Sequence, residues 1–467
     1  MYWTFLNQSA NQVITFIVGI IMARLLSPED YGITALPAVF LAVAGIFMNA
    51  GFGQALVRKP EVTEKDLSTA FYYSIAMGVV MYVILFFSAP LIADFYSTPV
   101  LTPLIRITSL TFLWGPLNTP QSVILQRKLD FKTPARISVA TNILGAIVGI
   151  IAAYNGLGLW ALVITGVVSS ILNLLQTWWA VKWVPTTRWC KDSFSYLWGY
   201  GNKMIGANLV DAICSNVAPV IIGKSLSPTT LGIYNRADGY AKLPANQLNG
   251  LLMGVSFPVL SRIQDDNASL QRHYRNMIRT SAFVSFPIFF LLAILAEPLI
   301  ISMIGSKWEE CVIILQILCF ERMFWPIQSL NKNLLQVKGR SDLFLKIELI
   351  KKITIIFLYV ISLRFGIIVF CCSQIVGCIF SLFINTYYTG KILDLGLNKQ
   401  IADILPSFIL SIIMGMCVLL SIHIIQNYLL QIVVGGVVGV SIYCIFAKIA
   451  KFQEFDQLLF LLNIKKN

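Results

Sequence analysis

LSPEDYGI, Leu26 to Ile33, returns 200 residues later as LSPTTLGI, Leu226 to Ile233, with five of eight positions identical. Further pairs follow in the same order at slowly growing shifts. APLIADF (89–95) faces EPLIISM (297–303), WGPLN (114–118) faces FWPIQ (324–328), LQRK (125–128) faces LQVK (335–338), and Gly156 faces Gly366. One short match carries little weight, but a collinear series is what a duplicated half leaves behind.

The composition sets the class. Hydrophobic residues make up 57% of the 467 residues and charged residues 12%, where a soluble domain has about 25% charged. Apolar stretches recur from end to end, and a spanning helix needs roughly 20 such residues. The runs are continuously apolar rather than alternating, which excludes a β-barrel. The expected fold class is an all-α polytopic membrane protein. Residues 1–23 contain no Lys or Arg, so no cleavable signal is expected, and a truncated or misplaced start is. Of the nine cysteines, all but Cys190 fall in apolar spans, and no CxxC occurs. They read as small buried hydrophobes. His273 and His423 have no ligand-like neighbours, so no metal or cofactor site is expected.

Fourteen spans are expected, at about 3–24, 31–52, 69–93, 100–124, 135–154, 159–183, 198–223, 231–258, 277–303, 310–335, 343–363, 367–390, 402–422 and 428–448. The repeat pairs spans one to six with seven to twelve. The expected organisation is a six-helix bundle at 1–183, a cytoplasmic linker at 184–197, a second six-helix bundle at 198–390, two extra helices at 391–449 and a cytoplasmic tail at 450–467. Connectors after even-numbered spans, with their flanks and the tail, hold 26 of the 35 Lys and Arg. The opposite connectors hold only Arg24, Lys224, Lys307 and Arg364. The positive-inside rule puts both termini in the cytoplasm. The formal charge of +13 is mostly this signal, dispersed over seven segments, and argues against nucleic-acid binding. Six spans per repeat is an even number, so the halves run parallel, a transporter arrangement.

Polar residues inside spans are costly and therefore informative. Span one carries Thr4, Gln8, Asn11 and Thr15 on one helical face, and span seven carries Asn208, Asp211 and Ser215. Asn11 and Asp211 are repeat mates. Span eight carries Asn235, Asp238, Lys242, Asn246 and Asn249 along nearly four turns, with Arg236 beside them. Such a stripe suits a wet cavity better than a dry seam, although Lys242 and Asp238 can pair at i and i+4. Glu321, Arg322, Gln328 and Lys332 lie in span ten, and Arg106 in span four. Several intramembrane cations suit an anionic substrate part such as phosphate or an acidic sugar. The candidate substrate contacts are Arg24, Lys224, Arg236, Lys242, Asn235, Asn246 and Lys332. The candidate ion-coupling acids, for proton or sodium, are Asp211, expected to be buried, and Glu348.

The phrases ARLLSPEDYG (23–32), LVRKPEVTEKDLSTAFYYS (56–74), LDFK (129–132), GLGLWALV (156–163), IGKSLSPTTLGIYNRADGYAKLP (222–244), FPVLSRIQDD (257–266) and VKGRSDL (337–343) carry a family likeness over nearly the whole chain. The chain resembles the Wzx-type polysaccharide repeat-unit flippases of the multidrug/oligosaccharidyl-lipid/polysaccharide exporter superfamily. The resemblance implies two six-helix bundles in a V plus two C-terminal helices. It implies a non-enzymatic exporter of undecaprenyl-pyrophosphate-linked oligosaccharide across the bacterial inner membrane, working with membrane lipids, a polysaccharide polymerase and other assembly proteins. It also implies a pyrophosphate contact for Arg24 in the ARLL phrase. Two readings compete. A drug/cation antiporter of the same superfamily would favour acids and aromatics in the cavity. A polymerase would need larger outer loops than SPED, FYSTP or SLSPTT.

Overall fold

The repeated LSP phrase does the same structural work twice in this computed structural model, which describes residues 2–464, without the side chains of 2–6, 8, 341, 458 and 460–464. Ser27 caps the helix Pro28–Ala35. Its Oγ accepts from the Asp30 amide, and the Asp30 carboxylate accepts from the Ser27 amide at 2.8 Å. Ser227 Oγ likewise accepts from the Thr230 amide at 3.1 Å, at the start of the helix Pro228–Arg262. In both, a proline follows the capping serine, where its missing N–H costs nothing. The two phrases also cross each other. A Cβ on Gly32 would lie 1.7 Å from the Pro228 carbonyl oxygen, and a Cβ on Gly232 would lie 1.9 Å from that of Pro28. Four of the five shared identities are thereby explained: a cap, a first-turn proline, a crossing glycine and an isoleucine, Ile33 or Ile233, that is buried in both.

All regular structure among the described residues is helical. Nine described helices are long and apolar enough to cross a membrane. Of the other expected spans, four and ten are broken rather than continuous. Span four runs as Leu101–Ser109, Thr111–Trp114, a 3-10 turn Gly115–Asn118, and Thr119–Arg127. Span ten runs as Glu310–Arg322 and Trp325–Val337. The breaks sit at Pro116 and Pro326, which the repeat aligns, because proline removes a donor and clashes with the preceding turn. A carbonyl freed within a membrane must find another donor. Trp178 Nε1 donates to the Leu117 carbonyl at 3.1 Å, and Ser285 Oγ donates to that of Met323 at 2.7 Å. Spans eight and eleven are helical over their length, as Pro228–Arg262 and Ser341–Ser362. Their polar and charged residues keep them out of the apolar set.

Contacts divide the chain into two compact units, up to Gly232 and from Ile233. This division falls later than the expected linker at 184–197. Residues 182–190 carry no helix, but the helix Lys191–Ser225 starts inside that range and packs within the first unit. Small residues allow the approach: a Cβ on Gly201 would lie 2.5 Å from the Ala50 carbonyl, and Gly223 lies against Leu36.

In each unit a cation at the end of the broken span ties back to an earlier connector. Arg127, at the end of the first unit's broken span, donates to the carbonyls of Leu56 (3.2 Å), Lys59 (2.5 Å) and Pro60 (2.7 Å). In the second unit Lys338, in the matched LQVK, donates to the Gln264 carbonyl (2.5 Å) and Asn267 Oδ1 (2.7 Å). After Leu129, Asp130 accepts from the Thr133 hydroxyl at 2.7 Å and from two amides. These bonds, the hydroxyl's first, hold its carboxyl below the usual range.

The two C-terminal helices, Leu397–His423 and Tyr428–Ile449, pack on Asn267–Ile294. Asp403, 4% exposed, is clamped by Arg275 and Arg279 with contacts of 2.5–2.8 Å. Tyr443 donates to the Phe283 carbonyl at 2.8 Å. Beyond them the expected tail forms a further helix, Gln453–Ile464.

Candidate substrate site

The polar stripe of Pro228–Arg262 opens the site in the second unit. Asp238 is 7% exposed and accepts from Arg322 Nη2 at 2.6 Å on one side. On the other it pairs with Lys242 one turn along its own helix, as the i, i+4 spacing suggested. Arg322, 6% exposed, also pairs with its neighbour Glu321. The Trp325 ring lies 4.1 Å from the guanidinium centre, and its Nε1 donates to Glu321 Oε1 at 2.9 Å. A buried arginine pays a large desolvation cost that only several good partners offset. Here two carboxylates and an aromatic face do so. Arg322 is therefore enclosed rather than cavity-lining, while the Lys242 side chain keeps 43% of its surface exposed.

A second cluster lies on spans ten, eleven and twelve. Glu348 pairs with Lys351 at 2.5 Å and with Lys332 at 3.7 Å. Lys351 is 5% exposed and also reaches Asn385 Oδ1 at 3.4 Å. Two lysines thus share one carboxylate, and the Lys332 side chain remains 36% exposed. An unbalanced positive charge at a partly open position can meet an anion.

The remaining candidates are distributed as follows. Arg236 is half-buried, its guanidinium 5.4 Å from the Tyr240 ring and 5.9 Å from the fully buried Trp308 ring, so aromatic faces hold it. Asn235 is half-buried and Asn246 exposed. Arg24 and Lys224 are exposed in the last turns of Tyr2–Leu25 and Lys191–Ser225, where a cation complements the helix dipole. Lys224 Nζ donates to the Phe95 carbonyl and lies 4.7 Å from the Phe95 ring centre. It thus closes the end of the helix Glu64–Phe95. Asp211 is exposed, not buried as expected. Glu348 is engaged by its two lysines. In the first unit Asn11 accepts from Asn142 at 2.7 Å and donates to Asn7. Thr4 and Gln8 lie outside the described side chains.

Two features lie outside the sequence reading. Lys351 falls within expected span eleven and is buried. Asp403 was passed over, although an acid in the first turns of an apolar span was signal enough to ask for a partner.

The model of the polysaccharide biosynthesis protein family matches residues 21–313. The chain is 29% identical to the teichuronic acid biosynthesis protein TuaB of Bacillus subtilis, over 73% of this chain and 71% of TuaB. It is 23% identical to the lipopolysaccharide biosynthesis protein WzxC of Escherichia coli, over 85% of this chain and 82% of WzxC. Among solved structures, the lipid II flippase MurJ in an inward closed conformation superposes with a TM-score of 0.75 at 18% identity. The match covers 95% of this chain and 99% of that one and establishes a shared fold. The family match spans well over half the chain, and the apolar helices are those of a multi-pass membrane protein: this chain belongs to the polysaccharide biosynthesis protein family.

Proposed function

We propose that this protein is a flippase that carries undecaprenyl-pyrophosphate-linked oligosaccharide repeat units across the bacterial inner membrane for surface polysaccharide or lipopolysaccharide biosynthesis. It works by alternating access and breaks no covalent bond. A sugar and a pyrophosphate cannot cross hydrocarbon bare, since each unpaired polar group costs several kcal/mol. A wet, cation-bearing path substitutes for water while the lipid tail stays in the bilayer. The observation that carries this reading is the half-open, positively unbalanced cluster of Lys332, Glu348 and Lys351 in a chain of this family. Arg24, Arg236, Lys242 and Lys332 are the proposed anion contacts, with Asn235, Asn246 and Lys224 assisting. Asp211 and Glu348 are the proposed coupling acids for proton or sodium. Fourteen spans in two parallel repeats plus two, with both termini cytoplasmic, complete the proposal on the charge pattern.

Deletion of the gene in its host tests it. Surface polymer should vanish and lipid-linked units accumulate on the cytoplasmic leaflet. Single repeat units displayed outside would instead indicate a polymerase, and unchanged polymer with new dye sensitivity an antiporter. Either result sinks the proposal.

A further inference from the structure

A cavity of about 630 Å³ lies wholly within the first unit. Small-molecule sites are roughly 300–1,000 Å³. Among the described residues that line it, none is charged and none aromatic. Its polar groups are Asn49, Gln54, Asn118, Thr119, Ser122, Gln126 and Asn208, drawn from the ends of spans two and four and from span seven. All but Asn118 and Thr119 are exposed. Asn118 is fixed by donating to Asn173 Oδ1 at 3.0 Å, and its own Oδ1 is buried with no hydrogen-bond partner among the described residues.

The backbone beside the cavity takes a left-handed conformation. Ala50 and Gly51 both take positive φ, 44° and 68°, between the helices Ala38–Asn49 and Phe52–Arg58. A Cβ on Gly51 would lie 2.9 Å from Met204 Cβ. Two consecutive left-handed residues, one of them alanine, mark a break held by its surroundings, and such breaks gather at ligand sites. Amides and two hydroxyls offer donors and acceptors without charge, which matches vicinal hydroxyl groups and gives a carboxylate no cation to offset its desolvation.

We propose that this cavity is a subsite for the uncharged sugar residues of the lipid-linked cargo. This assignment rests on the flippase reading, and it gives the cargo's neutral sugars to amides and hydroxyls and its anion to the cations proposed above. On the charge-based topology the cavity lies toward the cytoplasmic side, where cargo would load.

The full-length protein in lipid nanodiscs, titrated with three probes, tests the assignment. These are undecaprenyl pyrophosphate alone, the same lipid bearing a neutral dihexose, and the same lipid bearing a hexose and a uronic acid. The neutral dihexose should tighten binding about tenfold over the bare lipid, because a site built for hydroxyls discriminates against a ligand lacking them. The exposed double variant Gln54→Ala with Gln126→Ala should lose most of that gain and leave bare-lipid affinity unchanged. Ser122→Asp should lower the gain further for the uronic acid probe than for the neutral one. A gain that survives the double variant, or one equally large for the uronic acid, overturns the subsite. So does displacement of the dihexose lipid by added phosphatidylglycerol, which would give the cavity to a lipid headgroup. If bare lipid binds and the dihexose adds nothing, the subsite falls and the flippase reading stands. If only the dihexose lipid binds, and the double variant abolishes it, the subsite stands and the pyrophosphate contacts fall.

Discussion

The second span of each repeat starts from the same LSP turn and ends differently. In the first unit it breaks at Ala50 and Gly51, and its polar groups are neutral. In the second unit the helix Pro228–Arg262 runs unbroken through the matching positions 250 and 251 and carries Asp238 and Lys242. The aligned residues of the first unit are Ala38 and Ala42, and the positions aligned with Glu321, Arg322 and Lys332 are Thr111, Phe112 and Ser122. The two matched spans thus meet the cost of polarity inside a membrane in two ways. The first unit's cavity is lined by amides and hydroxyls that need only hydrogen bonds. The second unit's stripe carries ions that need each other.

Removing an ion should therefore hurt the second unit more than any amide change hurts the first. Asp238→Ala leaves Arg322 buried with a single carboxylate and should destabilise the protein by about 3–5 kcal/mol, measured by thermal unfolding in nanodiscs. Adding Arg322→Met with Glu321→Gln, which removes the remaining buried charges together, should restore most of the loss. A triple variant as unstable as the single would show that the ion cluster is not the cause. Next comes Asp403→Ala, which frees two half-exposed arginines that water can reclaim. A loss of about 2 kcal/mol is expected, from charge-assisted hydrogen bonds alone. The same melting measurement checks it, and an unchanged midpoint would exclude the clamp.

The backbone difference is tested by two glycines. Gly51→Ala should cost about 1–2 kcal/mol, since alanine is disfavoured at φ 68° and meets Met204. Gly250→Ala, in continuous helix with nothing within 4 Å of the new methyl, should stabilise by about 0.5–1 kcal/mol. Equal signs for the two would end the contrast. The smallest effect is at the caps. Ser27→Ala loses a reciprocal box with Asp30 and should cost about 1 kcal/mol, and Ser227→Ala, whose partner is Thr230, should cost less. Melting midpoints of the two variants rank them.

Sequence alone determined the all-helical membrane class and the collinear series of matched phrases, because hydropathy and sequence matches are local and written in order. It also showed the stripe on span eight and the Asp238–Lys242 pair, which a helical period brings onto one face. The tertiary structure decided the rest. It broke spans four and ten at prolines whose freed carbonyls needed donors from other helices. It enclosed Arg322, exposed Asp211, and gave Asp403 its two arginines 124 and 128 residues away. It placed the helix Lys191–Ser225 with the first unit. An ion's burial and its partner depend on which helices pack together, and a sequence read along one chain fixes the face a residue occupies without fixing what comes to cover it.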